Sequence, residues 1–212
     1  MQRTHGEHAL PHACRQFPRV ATLSPLGTSV TLSAFCPTAA ALLFDAAPFG
    51  VVTRTDARRY EGLDAREVLP PLLRPGMLMD WPAVARWEEL VVATLSTYRS
   101  EPDTALAIIQ RASGEVRDAW TPADGPLSDA LDAAFDAGAF DDTRELTTDA
   151  AATARFLAAH AFACWPMYDG RGIEGAIDWL LNVRTALENE RRSCGDLLEA
   201  FRQADLALRH RT

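Results

Sequence analysis

Apolar residues recur at steps of three and four along most of the chain beyond Asp80, and this spacing limits the possible folds more than any other feature. A step of three or four returns a side chain to the same face of an α-helix, so the series predicts an amphipathic helix. Asp80 is a suitable N-cap, and Pro82 fits the first turn. The first series consists of Trp87, Leu90, Val91, Thr94, Leu95 and Tyr98.

The same spacing predicts further helices towards the C-terminus. We expect a short helix over residues 103–112 that ends at Ser113 and Gly114, a long helix that begins at Thr148 or Asp149, and another over residues 173–190. A last helix carries Leu197, Leu198, Phe201, Ala204 and Leu208. Eight apolar residues on the predicted helices are expected to lie in the core: Leu90, Leu95, Phe156, Leu157, Ile177, Leu181, Leu198 and Phe201.

Near the N-terminus the pattern changes to that of strands. A β-prone run at residues 20–23, turn residues at 24–27 and a β-branched run at 28–35 predict an antiparallel β-hairpin. Pro37 then suits the first position of a helix, and a short strand is expected at 49–53. The predicted fold class is mainly α, a multi-helix domain with a small N-terminal antiparallel β-hairpin and five or more helices after it.

Prolines 70, 71 and 75 punctuate a connector that is the best internal boundary of the chain. Residues 1–75 are predicted to form a small α/β head that carries the hairpin, Cys14 and Cys36. Residues 76–212 form the helical region, which we expect to pack with the head as one domain. A chain of 212 residues is long enough to bury such a core without disulfides.

Charge and composition exclude some partners. The formal net charge of −8 argues against general nucleic-acid binding, which needs a basic face. No apolar run approaches the roughly 20 residues that cross a membrane, so neither nucleic acid nor membrane is expected as a partner. The four cysteines are far apart and the first eleven residues resemble no targeting signal, so a cytoplasmic protein with reduced thiols is the simplest interpretation.

His12, Cys14 and Cys36 are the candidate metal ligands. The two cysteines flank the predicted hairpin, whose folding would bring its ends together. Zinc and iron favour imidazole and thiolate ligands, and the N–H groups of a helix that follows Cys36 would favour its thiolate. The alternative is that both thiols are buried and pack the base of the hairpin as small apolar side chains.

Catalytic residues are not identified by the sequence. It contains no GxGxxG, Walker, GxSxG, HExxH or EF-hand pattern. His160 lies on the apolar face of its predicted helix and is interpreted as a core histidine with a hydrogen-bond partner rather than as a general base. Trp165 and Tyr168 belong to a loop at 165–172 that carries large side chains.

The segment at residues 9–19 (ALPHACRQFPR) resembles the last cysteine element of the flagellin lysine-N-methylase-like proteins. These proteins belong to a broader group with a cysteine-rich, zinc- or iron-chelating segment. The resemblance continues after the hairpin at 33–40 (SAFCPTAA) and in the late helices at 155–160 (RFLAAH) and 199–205 (EAFRQAD).

This resemblance implies methyl transfer from S-adenosylmethionine to a lysine of a protein substrate. It also implies zinc or an iron–sulfur cluster, held in the family by several close-spaced cysteines before the element at Cys14. This sequence has no cysteine there and no glycine-rich cofactor loop, and such metal sites need about four ligands. An N-terminally shortened or inactive form is therefore expected. The alternative is a non-enzymatic helical binding or scaffold module that uses the surface at Trp165 and Tyr168.

Overall fold

A computed structural model describes residues 16–45, 47–55, 60–136 and 145–209 of the chain. Cys14 and His12 therefore lie outside the described residues. The protein is mainly helical with a small antiparallel strand pair near its N-terminus, so the predicted fold class is confirmed.

The hairpin joins strand β1, Arg19–Ser24, to strand β2, Gly27–Leu32, in antiparallel register. Gly27 closes the turn with φ +138°, a conformation that glycine adopts without steric cost. Strand β3, Leu63–Asp64, pairs in parallel with β1, so the sheet order is β2-β1-β3. Residues 49–53 form no strand, so that expectation was wrong.

Helix α1, Pro37–Leu42, begins where proline predicted it, with Cys36 at the N-cap. Strands β4, Leu72–Arg74, and β5, Met77–Leu78, form a second antiparallel pair. Their tight turn has Gly76 at φ +79°. The division drawn from the sequence between residues 75 and 76 falls inside this turn.

Six longer helices make up the remainder of the described chain. They are α2 (Trp81–Thr97), α3 (Pro102–Ala119), α4 (Leu127–Asp136), α5 (Thr148–Ala161), α6 (Gly172–Cys194) and α7 (Leu197–Arg209). A short 3₁₀ turn, Trp165–Tyr168, separates α5 from α6. Asp80 caps α2 as predicted, because its Oδ1 accepts a hydrogen bond from the Ala83 N–H at 2.7 Å.

Helix α3 continues through Ser113 and Gly114, so the helix end predicted there was wrong. The Ser113 side chain is buried, and its Oγ accepts a hydrogen bond from Trp87 Nε1 at 2.9 Å. Ala112 and Val116 keep the apolar face intact on either side. Tertiary packing therefore outweighs the weak local preference of serine and glycine to end a helix.

The core lies between α2, α5, α6 and α7, with Trp87, Phe156 and Phe201 at its centre. Of the eight residues predicted to lie in the core, five are buried: Leu95, Phe156, Leu157, Ile177 and Phe201. Leu90 and Leu198 are half-buried. Leu181 is 36% exposed, so its assignment was wrong. Leu180 next to it is buried, because successive side chains on a helix point about 100° apart.

Asp205 of α7 ties the hairpin to the helices. Its Oδ2 accepts hydrogen bonds from the hydroxyl of Ser33 and the N–H of Phe35, just after β2. The α5 side chain His160 places Nε2 3.2 Å from Oδ1 of the same carboxylate. The small sheet is thus fixed against α5 and α7. In the described part of the chain, no helix is both long and apolar enough to pass through a membrane.

Candidate functional site

A cleft of about 280 Å³ lies between the hairpin and the first half of α2. We call it the Glu88 cleft. The residues that line it include Thr22 and Ser29 of the hairpin, the aromatic residues Trp81 and Tyr168, and Glu88. Hydroxyl, aromatic and acidic groups therefore meet in one concavity of the size of a small binding site.

Glu88 is an acidic residue on the buried face of α2. It is 8% exposed, and Val84, Trp87 and Val91 on the same face belong to the core. Burial raises the pKa of its carboxyl group to about 7, and backbone hydrogen bonds from Ala163 and Cys164 offset part of that effect. A carboxyl group that titrates near neutral pH inside a cleft marks a candidate functional residue.

Ala163 hydrogen-bonds two residues of the cleft, Glu88 and Thr22, and has an uncommon backbone conformation. Its φ of +59° is left-handed, which costs a non-glycine residue about 1–2 kcal/mol. Its N–H donates to Glu88 Oε1 at 3.1 Å, and its carbonyl oxygen accepts from Thr22 Oγ1 at 3.2 Å. Backbone strain that neighbouring groups stabilise is concentrated at functional sites.

Three aromatic rings are stacked on one another, and two of them, Trp81 and Tyr168, line the cleft together with Glu88. The Tyr168 ring lies between Trp81, at a centroid distance of 6.2 Å, and Trp165, at 5.5 Å. All three side chains are half-buried. Burial raises the pKa of the Tyr168 hydroxyl, so that it stays protonated. The structure thus brings together the two aromatic residues singled out from the sequence and adds Trp81.

Charges at the edge of the cleft are of both signs. Glu89 is exposed and pairs with Arg86, whose Nη1 lies 3.0 Å from Glu89 Oε2. Arg54 also lines the cleft and is exposed. Among the described residues Glu88 has no ion pair and is held by backbone N–H groups.

Of the candidate metal ligands, the described part of the chain includes Cys36. It is half-exposed at the N-cap of α1 and makes no side-chain capping bond. Phe17 and Phe35 are in edge-to-face contact at 6.4 Å, and the Ser33 N–H donates to the Pro18 carbonyl at 2.7 Å. Residues 17–18 therefore lie beside residues 33–35, which precede Cys36.

These residues do not complete a metal site within the described ranges. Across 16–45, 47–55, 60–136 and 145–209, no three His, Cys, Asp or Glu side chains are grouped so that they could hold a metal ion. Cys164 is buried, which raises the pKa of its thiol, and Cys194 is exposed on α6. The metal assignment to His12, Cys14 and Cys36 stays a prediction.

His160 has the partner expected of a core histidine. Burial lowers the pKa of its imidazole, so the ring is neutral. Burial also opposes ionisation of Asp205, but His160 and Arg209 lower the pKa of its carboxyl group below the usual range. Asp205 therefore stays ionised and accepts hydrogen bonds.

Sequence reasoning missed Glu88 and Trp81 as site residues. One signal was present, since position 88 falls inside the apolar stripe of α2 between Trp87 and Val91. An acidic residue on such a stripe needs a partner or a function. Its hydrogen-bond partner Ala163 is 75 positions away along the chain. No protein-family model, no curated protein and no solved structure matches this chain.

Proposed function

We propose that the Glu88 cleft binds the ammonium group of a lysine side chain on a protein partner. In this proposal the chain is a lysine-N-methylase-like protein, and the cleft is its substrate-binding part. The observation that carries the proposal is the nearly buried Glu88 carboxyl group beside the Trp81 and Tyr168 rings.

The electrostatics of the cleft favour a cation. Glu89 is paired with Arg86, whereas burial leaves Glu88 only partly ionised at neutral pH. An ammonium group close to Glu88 would favour the ionised form and recover part of the energy that burial costs the carboxylate. Lysine carries a compact ammonium with three donors, and hydroxyl-bearing Thr22 and Ser29 line the same cleft.

The rings suit the rest of a lysine side chain. Its four methylene groups can pack against Trp81 and Tyr168, and the ammonium is attracted to aromatic faces and carboxylates alike. A volume of about 280 Å³ accommodates one side chain rather than a large ligand. The resemblance of residues 9–19 and 33–40 to lysine-N-methylase-like proteins is the reason for choosing a protein lysine over a free amine.

The chemistry proposed for this chain concerns a proton. S-adenosylmethionine, where it binds, supplies a methyl group, and no described residue is assigned to hold it. Glu88 is the group proposed to accept the proton that a lysine ammonium must lose before its nitrogen can act as a nucleophile. Its pKa is about 7 in the empty cleft, and a bound ammonium lowers that pKa. Arg54 opposes binding of a cation, since it lines the same cleft.

Peptide binding tests the proposal. Three peptides that differ at one position, lysine, acetyl-lysine or norleucine, are titrated calorimetrically into the purified chain near pH 8. The lysine peptide should bind at least about tenfold more tightly than the other two, which lack the charge. Glu88→Gln should remove that preference, whereas Arg54→Ala should strengthen lysine binding.

Glu115→Gln is the matched control, because Glu115 is exposed on α3 and loses the same charge. It should leave the lysine preference unchanged. Equal binding of the three peptides would refute the proposal. Transfer of labelled methyl groups from S-adenosylmethionine to the lysine peptide would support an enzyme, and lysine-specific binding without transfer would support the non-enzymatic binding module.

A further inference from the structure

A second cleft, of about 300 Å³, includes Ala163 in its lining and shares Phe162 with the Glu88 cleft. We call it the tryptophan cleft and define it by Val20, Thr31, His160, Phe162, Trp165 and Trp179. Val20 and Thr31 are paired across the hairpin, as are Thr22 and Ser29 of the Glu88 cleft. Because side chains two residues apart on a strand share a face, both clefts lie on one face of the hairpin.

Four rings, those of His160, Phe162, Trp165 and Trp179, form part of the wall of the tryptophan cleft, and aliphatic side chains such as Leu63 and Leu208 form much of the rest. Trp165 and Trp179 are both half-buried. The Trp179 ring packs against the His160 imidazole at a centroid distance of 5.8 Å, and the Trp165 ring is stacked on Tyr168. Their neighbours Phe162 and Val20 are apolar. Flat apolar walls that remain partly open to solvent suit stacking with another flat ring.

Charges around this cleft are balanced within the protein. The Asp205 carboxylate accepts hydrogen bonds from the Ser33 hydroxyl and from Arg209 Nε, and the distance from Arg209 Nε to Asp205 Oδ2 is 3.0 Å. His160 is neutral and directs Nε2 to the same carboxylate. Arg209 lines the cleft, but its charge is paired with Asp205. The cleft therefore offers a ligand neutral polar groups, such as the Thr31 hydroxyl, rather than an uncompensated charge.

We propose that the tryptophan cleft binds an uncharged bicyclic heteroaromatic ring of the purine or indole class. The volume is at the lower end of the range for ligand pockets, about 300–1,000 Å³, and this favours a single ring system. Stacking on Trp165 and Trp179 supplies contact area, and Thr31 supplies a hydrogen bond to a ring heteroatom. This proposal is independent of lysine binding in the Glu88 cleft.

Ligand-observed NMR with the full chain tests it. Adenosine and indole represent the two sources of such a ring, and benzoate and tryptamine serve as charged probes of similar flatness. We expect adenosine or indole to bind at least about tenfold more tightly than either charged probe. The tighter of the two identifies the source as a nucleoside or as an indole compound.

Trp179→Leu should weaken that binding about tenfold or more, because it removes one stacking surface. Trp120→Leu is the matched control, since Trp120 is half-buried at the end of α3 outside this cleft. In the unsubstituted protein, intermolecular NOEs from the probe to the Trp165 and Trp179 indoles give evidence that needs no variant. Equal binding of all four probes, or NOEs to other tryptophans alone, would overturn the proposal.

Discussion

The backbone N–H of Ala163 donates a hydrogen bond to the carboxyl group of Glu88 at 3.1 Å, although 75 positions separate the two residues along the chain. This bond connects the middle of α2 to the segment that follows α5. Thr22 Oγ1 donates to the carbonyl oxygen of Ala163 and adds the hairpin to the same junction. Both clefts are formed against this junction, so their shapes depend on three otherwise separate parts of the fold.

Stability should depend on pH through Glu88. Its pKa is about 7 in the folded protein against 4.5 as the ordinary value. The folded state therefore binds more protons between these values, and the Glu88 contribution to stability falls as pH rises through this window. Glu88→Gln keeps the acceptor for Ala163, so at about pH 8 it should stabilise the protein by up to about 3 kcal/mol.

At about pH 3.5 the same variant should match the unsubstituted protein, because this pH lies below both the folded and the ordinary pKa of Glu88 and the carboxyl group is then mostly protonated in both states. Urea unfolding at the two pH values measures the difference between the two proteins and so cancels other titrating groups. A difference that does not change with pH would contradict the assigned burial of the carboxyl group.

Removal of the Asp205 carboxylate should weaken the attachment of the hairpin. Asp205→Ala leaves the Ser33 hydroxyl without its acceptor and leaves the Phe35 N–H with only its longer bond to Ser33 Oγ. A buried donor left unsatisfied costs about 1–3 kcal/mol. Asp118→Ala, at an exposed carboxylate beside Arg117, should change the free energy of unfolding by less than about 0.5 kcal/mol. Similar values for the two variants in urea unfolding would show that the network adds little.

Two adjacent leucines on α6 test the packing. Leu180 is 1% exposed and Leu181 is 36% exposed. Leu180→Ala should therefore destabilise the protein by about 2–5 kcal/mol, and Leu181→Ala by less than about 1 kcal/mol. Thermal or urea unfolding measures the loss of stability in each variant. A larger loss for Leu181→Ala than for Leu180→Ala would contradict the assignment of Leu180 to the buried face of α6.

The metal prediction can be tested with the same chain. The predicted ligands His12, Cys14 and Cys36 number three, whereas a structural zinc site needs about four. We therefore expect no stoichiometric metal in this chain purified without chelators. Elemental analysis measures the metal content of the unsubstituted protein and of two variants, Cys36→Ser and, as the control at an exposed cysteine, Cys194→Ser. Stoichiometric metal that is lost with Cys36→Ser and kept with Cys194→Ser would contradict the expectation and identify a complete site.

Local spacing was enough to predict the helical class and the hairpin. The Pro37 start of α1 and the Asp80 cap of α2 follow from chemistry within one helical turn. The end of α3 was misjudged because the Trp87 indole, on another helix, satisfies Ser113. The apolar pattern of a helix locates its buried face only to within about one residue. For this reason Leu181 was assigned to the core, although the adjacent Leu180 is the buried residue.

The Glu88 cleft could not be predicted in the same way. Trp165 and Tyr168 were recognised as a cluster of large side chains, but Trp81 and Glu88 join them through the tertiary packing of α2. The left-handed conformation of Ala163 has no local signal, since alanine rarely adopts it. Contacts over such separations are fixed by the fold as a whole.

The affinity for a lysine peptide as a function of pH tests the central claim most directly. The peptide is acetylated at its N-terminus and lacks histidine, so that it does not itself titrate between about pH 5 and about pH 8. Below a pKa of about 7, the ionised fraction of Glu88 rises up to about tenfold per pH unit. The affinity for the lysine peptide should therefore rise steeply to about pH 7 and then level off. Glu88→Gln should remove this pH dependence. An affinity that is constant over this range, or that changes equally in Glu88→Gln, would contradict the assignment of Glu88 as the group that holds the lysine ammonium.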